Sequence, residues 1–203
     1  MPMRNLTLRE FCAQTASKSP TPGGGSVSAL TGALAAALAE MVASLTVAKA
    51  GFESVQDEMC DLLSEGETLR DAFFSLIDAD CAAFGSYMDA LAMPKTAEEE
   101  RAARRIALQE AARRSAEAPL EMARCAMQVM PLAEKALTHG NKMAASDARI
   151  AAILARAAVR AAVTNVRVNL PSLGDEALAA EMERECAELE AKAEQREAEI
   201  LAL

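Results

Sequence analysis

The segment Pro20-Thr21-Pro22-Gly23-Gly24-Gly25-Ser26 sets three consecutive glycines behind two prolines. Glycines in series let a backbone approach a ligand closely, and a helix starting after them offers free N–H donors and a partial positive charge. No Gly-Lys-Ser/Thr follows, so the loop is not a Walker A motif. It reads either as a ligand-lining turn or as a tight connection between helices. A second candidate is Asp80. The apolar stripe Phe73, Ile77, Phe84, Met88 and Leu91 runs at helical spacing, and position 80 falls on that face, whereas Asp78 lies about 200° around the helix. A carboxylate on a buried face is costly unless paired or functional. Burial would raise its pKa and suit it to proton transfer near neutrality; an ion pair with a neighbouring helix is the competing reading.

A third group comprises Gly140-Asn141, Ser146-Asp147, Asn165 and Asn169. Asn165 and Asn169 are four apart and share a helix face, where their amides could meet a heterocycle or satisfy helix ends. One histidine, His139, gives a His-based metal site or a Ser-His-Asp triad little to build on, and no metal is expected.

The elements that must position these residues are helices. Aromatics make up 3% of the chain, Trp is absent, and Ala, Leu, Met, Glu, Lys and Arg dominate. Strand-forming runs are almost missing. The reading is all-α, a bundle of long helices in one domain over residues 1–203. Thr7 caps a short helix to Ala16. Ser26 caps a helix to about Lys49 with the stripe Leu30, Leu34, Leu38, Met41 or Val42, and Leu45. Helices follow over Glu53 to Leu91, over Ala97 to Leu137 with an interruption or kink at Pro119, and from Ser146-Asp147 to Asn169. Asp175 caps the last helix, whose Leu178, Met182, Cys186, Leu189, Ala193, Arg196 and Ile200 repeat like a coiled-coil seam. That seam binds either a partner or the chain's own bundle.

A net charge of −9 argues against nucleic acid as the main partner. Val27 to Ala48 is long enough to cross a bilayer, but Glu40 sits well inside it, so it reads as a core helix rather than a membrane span. Five scattered cysteines without a CxxC pair, and no apolar leader over Met1 to Glu10, point to a reducing cytoplasm.

Taken in order, Ala16-Ser17, the Pro20–Ser26 turn, Met41-Val42, Leu45-Thr46, Asp80-Cys81-Ala82-Ala83-Phe84, Pro94-Lys95, Pro119-Leu120, Gly140-Asn141, Ser146-Asp147 and Asn165-Val166-Arg167-Val168-Asn169 resemble the cyclodeaminase/cyclohydrolase family of folate enzymes. The resemblance spans nearly the whole chain. It implies a helical homodimer acting on a tetrahydrofolate derivative as substrate, with no further cofactor. The reaction would be hydrolysis of 5,10-methenyltetrahydrofolate to 10-formyltetrahydrofolate, or cyclodeamination of formimidoyltetrahydrofolate with release of ammonia. Asp80 matches the family's catalytic aspartate, and Lys49 would orient it or bind a folate carboxylate. Pro22, Gly23, Gly24, Gly25, Ser26, Asn141, Asp147 and Asn169 would line the substrate site. Where the family continues after this lysine with further lysines and a tyrosine, the chain has Ala50-Gly51-Phe52, leaving fewer positive charges for an anionic glutamate tail there. The rival from another class is a non-catalytic helical protein that keeps the fold and binds a partner through its last helix.

Overall fold

The computed structural model describes residues 2–203. Six helices appear in the expected order: α1 (Leu8–Thr15), α2 (Gly24–Ser44), α3 (Gln56–Ala92), α4 (Glu98–His139), α5 (Ala145–Asn169) and α6 (Glu176–Leu201), with short 3-10 turns between some of them. No strand occurs among the described residues. Thr7 and Asp175 cap α1 and α6 as expected: Thr7 Oγ1 accepts from the Glu10 amide, and Asp175 Oδ1 accepts from Ala177 and Leu178.

α2 lies at the centre, against α3, α4 and α5. Its buried face is the small one: Ala29, Gly32, Ala36, Ala39 and Ala43 are buried, while Leu34, Met41 and Leu45 of the anticipated core stripe are exposed. The expected face is corrected at these three positions, for a steric reason, while Val42 is buried and Leu30 and Leu38 are half-buried against the core. Helices approach closely only where side chains are small, so alanine and glycine mark the contact, and Leu34 and Leu45 are turned outward. α2 is long and apolar enough to cross a membrane by length and composition, and 56% of its apolar window is packed inside the bundle.

The α2–α3 contact is a ladder of unequal partners. A Cβ on Gly66 would lie 2.5 Å from Glu40 Cγ, one on Gly32 would lie 2.9 Å from Phe73 Cδ1, and one on Gly25 would lie 2.6 Å from Asp80 Cγ. On α3 the rungs fall every seven residues, two turns apart on one face. Glu40, the lone charge of α2, pairs with Arg70 of α3 at 3.1 Å. Burial raises the Glu40 pKa, and the guanidinium pulls it back.

α3 has 37 residues against 21 in α2. Beyond Asp80 it therefore runs on without α2 beside it, which corrects the second half of its anticipated stripe. Phe73 and Ile77 are buried, Phe84 is half-buried, and Met88 and Leu91 are exposed.

α4 is one helix, not two. Pro119 lies inside it without ending it. A proline has no N–H to give the carbonyl four residues back; that carbonyl, on Ser115, instead accepts from Asn169 Nδ2 of α5 at 2.8 Å. A side chain from a neighbouring helix thus supplies the missing donor.

α6 packs its seam on its own bundle, against α4 and α5. Met182, Cys186, Ala193 and Ile200 are buried, and Arg196 bonds to Glu134 and Glu199. Arg124–Glu185 and Arg167–Glu190 pairs tie down its flanks. The seam is therefore not available to a partner.

Candidate active site

Asp80 stands where α2 begins. The N-cap of α2 is Gly23, which has no side chain to accept from the first-turn amides. Ser26, expected as that cap, lies instead within the first turn and is buried. Its Oγ donates to Asp80 Oδ2 at 2.9 Å, and its backbone N–H faces the carboxylate and favours its charge. Asp80 thus takes the place of an N-cap from across the helix pair. Gly25 leaves room for it, since any Cβ there would collide with the carboxylate oxygens.

Burial pushes the Asp80 pKa up from its ordinary value, and the Ser26 hydroxyl and backbone N–H partly oppose this. No basic side chain contributes. The ion-pair reading of this carboxylate gives way to one hydrogen-bonded by a serine and a helix start. Such a group exchanges protons closer to neutrality than a free aspartate does. Cys81 also faces Ser26, with Sγ 3.5 Å from its Oγ. Burial raises the thiol pKa, which keeps it protonated and a poor nucleophile.

Each glycine of the run has its own reason. Gly23 has extended backbone, with φ −120° and ψ −156°, and a Cβ there would make only ordinary contact with Pro20 O at 3.4 Å. A Cβ on Gly24 would press on Asn165 Oδ1 at 3.3 Å. Gly25 alone is required outright, for space. Pro22, on a cis peptide bond after Thr21, is buried beneath the turn.

The remaining candidates divide into two ends of the molecule. Asn165 and Asn169 join the Asp80 end. Their amide nitrogens are already committed: Asn165 Nδ2 donates to Ala161 O, and Asn169 Nδ2 to Ser115 O and Asn165 O. Lys49, Asn141 and Asp147 lie beyond the C-terminus of α2. Asn141 Nδ2 donates to Leu45 O, its backbone N–H to Thr46 Oγ1, and its Oδ1 accepts from Met143 N. Asp147 is in the first turn of α5, where a negative charge suits the helix dipole. Lys49 Nζ sits 5.5 Å from the centre of the Phe52 ring. With 21 residues in α2, the two groups are about 30 Å apart, so within one chain Lys49 does not reach Asp80. His139 pairs with Glu58, its Nδ1 2.6 Å from Oε2, well away from the carboxylate.

Sequence reasoning missed the Ser26–Asp80 bond and the Cys81 contact. Positions 26 and 80 are 54 apart, and no local periodicity links them.

Comparison with known proteins matches residues 7–188 to the family model described as Formiminotransferase-cyclodeaminase. The chain is 39% identical over 189 residues to the methenyltetrahydrofolate cyclohydrolase of Methylorubrum extorquens, covering 93% of this chain and 91% of that one. It is 35% identical over 172 residues to the formimidoyltransferase-cyclodeaminase of Mus musculus, covering 85% of this chain but 32% of that longer protein. The crystal structure of formiminotetrahydrofolate cyclodeaminase from Thermotoga maritima superposes with a TM-score of 0.85 at 37% identity, covering 98% of this chain and 96% of that one.

Proposed function

The chain belongs to the formiminotransferase-cyclodeaminase family, and from that premise we propose that it is a folate one-carbon enzyme hydrolysing 5,10-methenyltetrahydrofolate to 10-formyltetrahydrofolate. The observation that carries this is Asp80: a partly buried carboxylate of raised pKa, fixed by Ser26 at a helix start with no counter-cation.

As an anion, Asp80 favours the cationic amidinium carbon and takes a proton from the attacking water. The hydroxyl adds to the bridge carbon, giving a neutral tetrahedral adduct. The C–N5 bond then breaks as the hydroxyl becomes a carbonyl and releases its proton to solvent. N5 receives the proton held on Asp80, which restores the carboxylate. One water is consumed and one proton is released. The glycine turn, Gly23 to Ser26, provides the wall against which the folded pterin lies, with Asn165 and Asn169 beside it.

Cyclodeamination is the second reading, favoured by the Thermotoga maritima likeness. There N10 attacks the carbon of the protonated formimino group, Asp80 takes the N10 proton, and Asp80 returns it to the amino nitrogen, which leaves as ammonia and gives the methenyl cation.

The test is loss of near-ultraviolet absorbance of 5,10-methenyltetrahydrofolate, corrected for its spontaneous hydrolysis, with Asp80→Asn beside wild type. Acceleration by wild type alone supports the hydrolase. No acceleration, with ammonia release from formimidoyltetrahydrofolate, supports the deaminase. Equal rates for both proteins remove Asp80 from the chemistry.

A homodimer fits the same reading. Val27, Leu34, Met41 and Leu45 form an exposed apolar line along α2, with Leu34 at the helix midpoint. Pairing α2 with its copy in antiparallel fashion would cover this line. It would also carry the Lys49–Asn141–Asp147 end of one chain to the glycine turn of the other. All five cysteines are free, which suits the reducing cytoplasm.

A further inference from the structure

Ser26 Oγ meets two side chains that follow one another on α3: Asp80 Oδ2 lies 2.9 Å away and Cys81 Sγ 3.5 Å away. Consecutive helical residues point about 100° apart, so the first turn of α2 enters the angle between carboxylate and thiol. Among the described residues, these two groups are the hydrogen-bond partners of that oxygen. Ser26 is 0% exposed, so water supplies no third.

The proton count fixes the direction of both bonds. A serine hydroxyl carries one proton and two lone pairs, and an ionised carboxylate only accepts. The single proton of Ser26 is therefore spent on Asp80, and the contact with sulfur runs the other way, from the thiol to a lone pair of Ser26 Oγ. Cys81 keeps the proton this requires. Burial, aided by the negative charges of Asp80 and Asp78, holds the thiol above its ordinary range against the opposing effects of the Ser26 and Thr21 side chains. Hydrogen bonds in series polarise one another, so a donor behind Ser26 strengthens the bond from Ser26 to the carboxylate.

We infer that Cys81 is a positioning residue for the reaction at Asp80: its thiol donates to Ser26 Oγ while the carboxylate is ionised, and so holds the serine hydroxyl on it. The role rests on the acid–base reading of Asp80 above. Sulfur suits it because a thiol is a weak acceptor and does not compete with Asp80 for the serine proton. When Asp80 takes up a proton, its own O–H can donate back to Ser26, and the chain of donors loses its fixed sense. No charged side chain acts on Asp80, and Asp78, the second carboxylate that acts on Cys81, is paired with Arg4. The first turn of α2 has no ionisable residue, and α5 brings the uncharged Asn165 against it.

The test is the acid limb of kcat/KM in Cys81→Ala and Cys81→Ser, with circular dichroism to confirm folding. Losing the donor should move the limb to higher pH by about 0.5 unit, because a thiol donor is weak. Serine, which keeps an O–H at that position, should return it to within about 0.2 unit of wild type. In a Ser26→Ala background, Cys81→Ala should add no further shift, since the thiol acts through the serine. An unmoved limb in Cys81→Ala, no rescue by serine, or an equal shift without Ser26 overturns the assignment. Infrared titration of the Cys81 S–H band, isolated as wild type minus Cys81→Ala, needs no turnover and so separates this role from the folate reading. The band should shift as pH falls through the Asp80 titration and stay fixed in Asp80→Asn and in Ser26→Ala. A band that ignores pH in wild type removes the thiol from the network, whether or not a folate is turned over.

Discussion

Gly25 leaves open the space that the Asp80 carboxylate fills: a side chain on the first would fall on the second, within 2.6 Å of its Cγ. The α2 backbone is thereby the floor of the acid's pocket. Gly25→Ala should displace Asp80 and lower kcat at least a hundredfold, while costing about 1–3 kcal/mol in stability through overpacking. Gly23→Ala, with extended backbone and only ordinary contact to Pro20 O at 3.4 Å, should leave stability nearly unchanged. Steady-state kinetics with urea unfolding measures both.

Asp80→Asn should abolish turnover yet stabilise the fold. A carboxylate whose folded pKa is raised above its unfolded value adds stability at low pH, and this is lost as pH rises through the folded pKa. The amide still accepts from Ser26 and carries no charge to desolvate. The gain in Tm over wild type should therefore be larger at pH 8 than at pH 3.5. An equal shift at both would contradict the burial argument.

Ser26→Ala removes a hydrogen bond that favours the charged carboxylate. The acid limb of kcat/KM should begin above the ordinary aspartate range in wild type and move to higher pH in the variant. A pH–rate profile that does not move would assign the limb to another group.

Pro119 and Asn169 should be coupled energetically, since the amide serves the carbonyl that the proline leaves open. Asn169→Ala should cost about 1–3 kcal/mol in the natural background. In a Pro119→Ala background, which restores the backbone N–H, the same change should cost measurably less. A double-mutant cycle by chemical denaturation checks this; additive effects would sever the link.

Leu34→Glu, in the middle of the exposed α2 line, should yield a monomer by analytical ultracentrifugation if that line joins two copies. The helical circular dichroism signal should persist. A monomeric wild type would remove the pairing.

The helices were legible because their ends carry specific chemistry. Thr7, the Pro20–Gly25 run, Met93-Pro94, Gly140 and Asp175 each satisfy or interrupt backbone groups, and a pattern along the chain registers that directly. Asp80 was legible as a lone carboxylate between Ile77 and Phe84. The α2 face was legible only in part, at Leu30, Leu38 and Val42, because periodicity weighs residues by apolar size, whereas a close helix crossing selects for the absence of size. Pro119 misled for a related reason: the donor that rescues its helix comes from Asn169, on a different element. The basic face of α4 was visible in principle from the spacing of Arg101, Arg104 and Arg105.

The ladder of Gly66 with Glu40, Phe73 with Gly32 and Asp80 with Gly25 works as a ruler laid along two helices. Sliding α3 by one division would carry the carboxylate about 10 Å from the helix start that anchors it. Smaller slips would drive Phe73 into the alanines flanking its notch. The acid's location is thus calibrated by rungs that never approach a substrate, and drift in that part of the core would surface as lost chemistry. Beyond Asp80 the ruler has no marks, so the projecting α3–α4 arm can change its charge and length without disturbing the position of the reacting group.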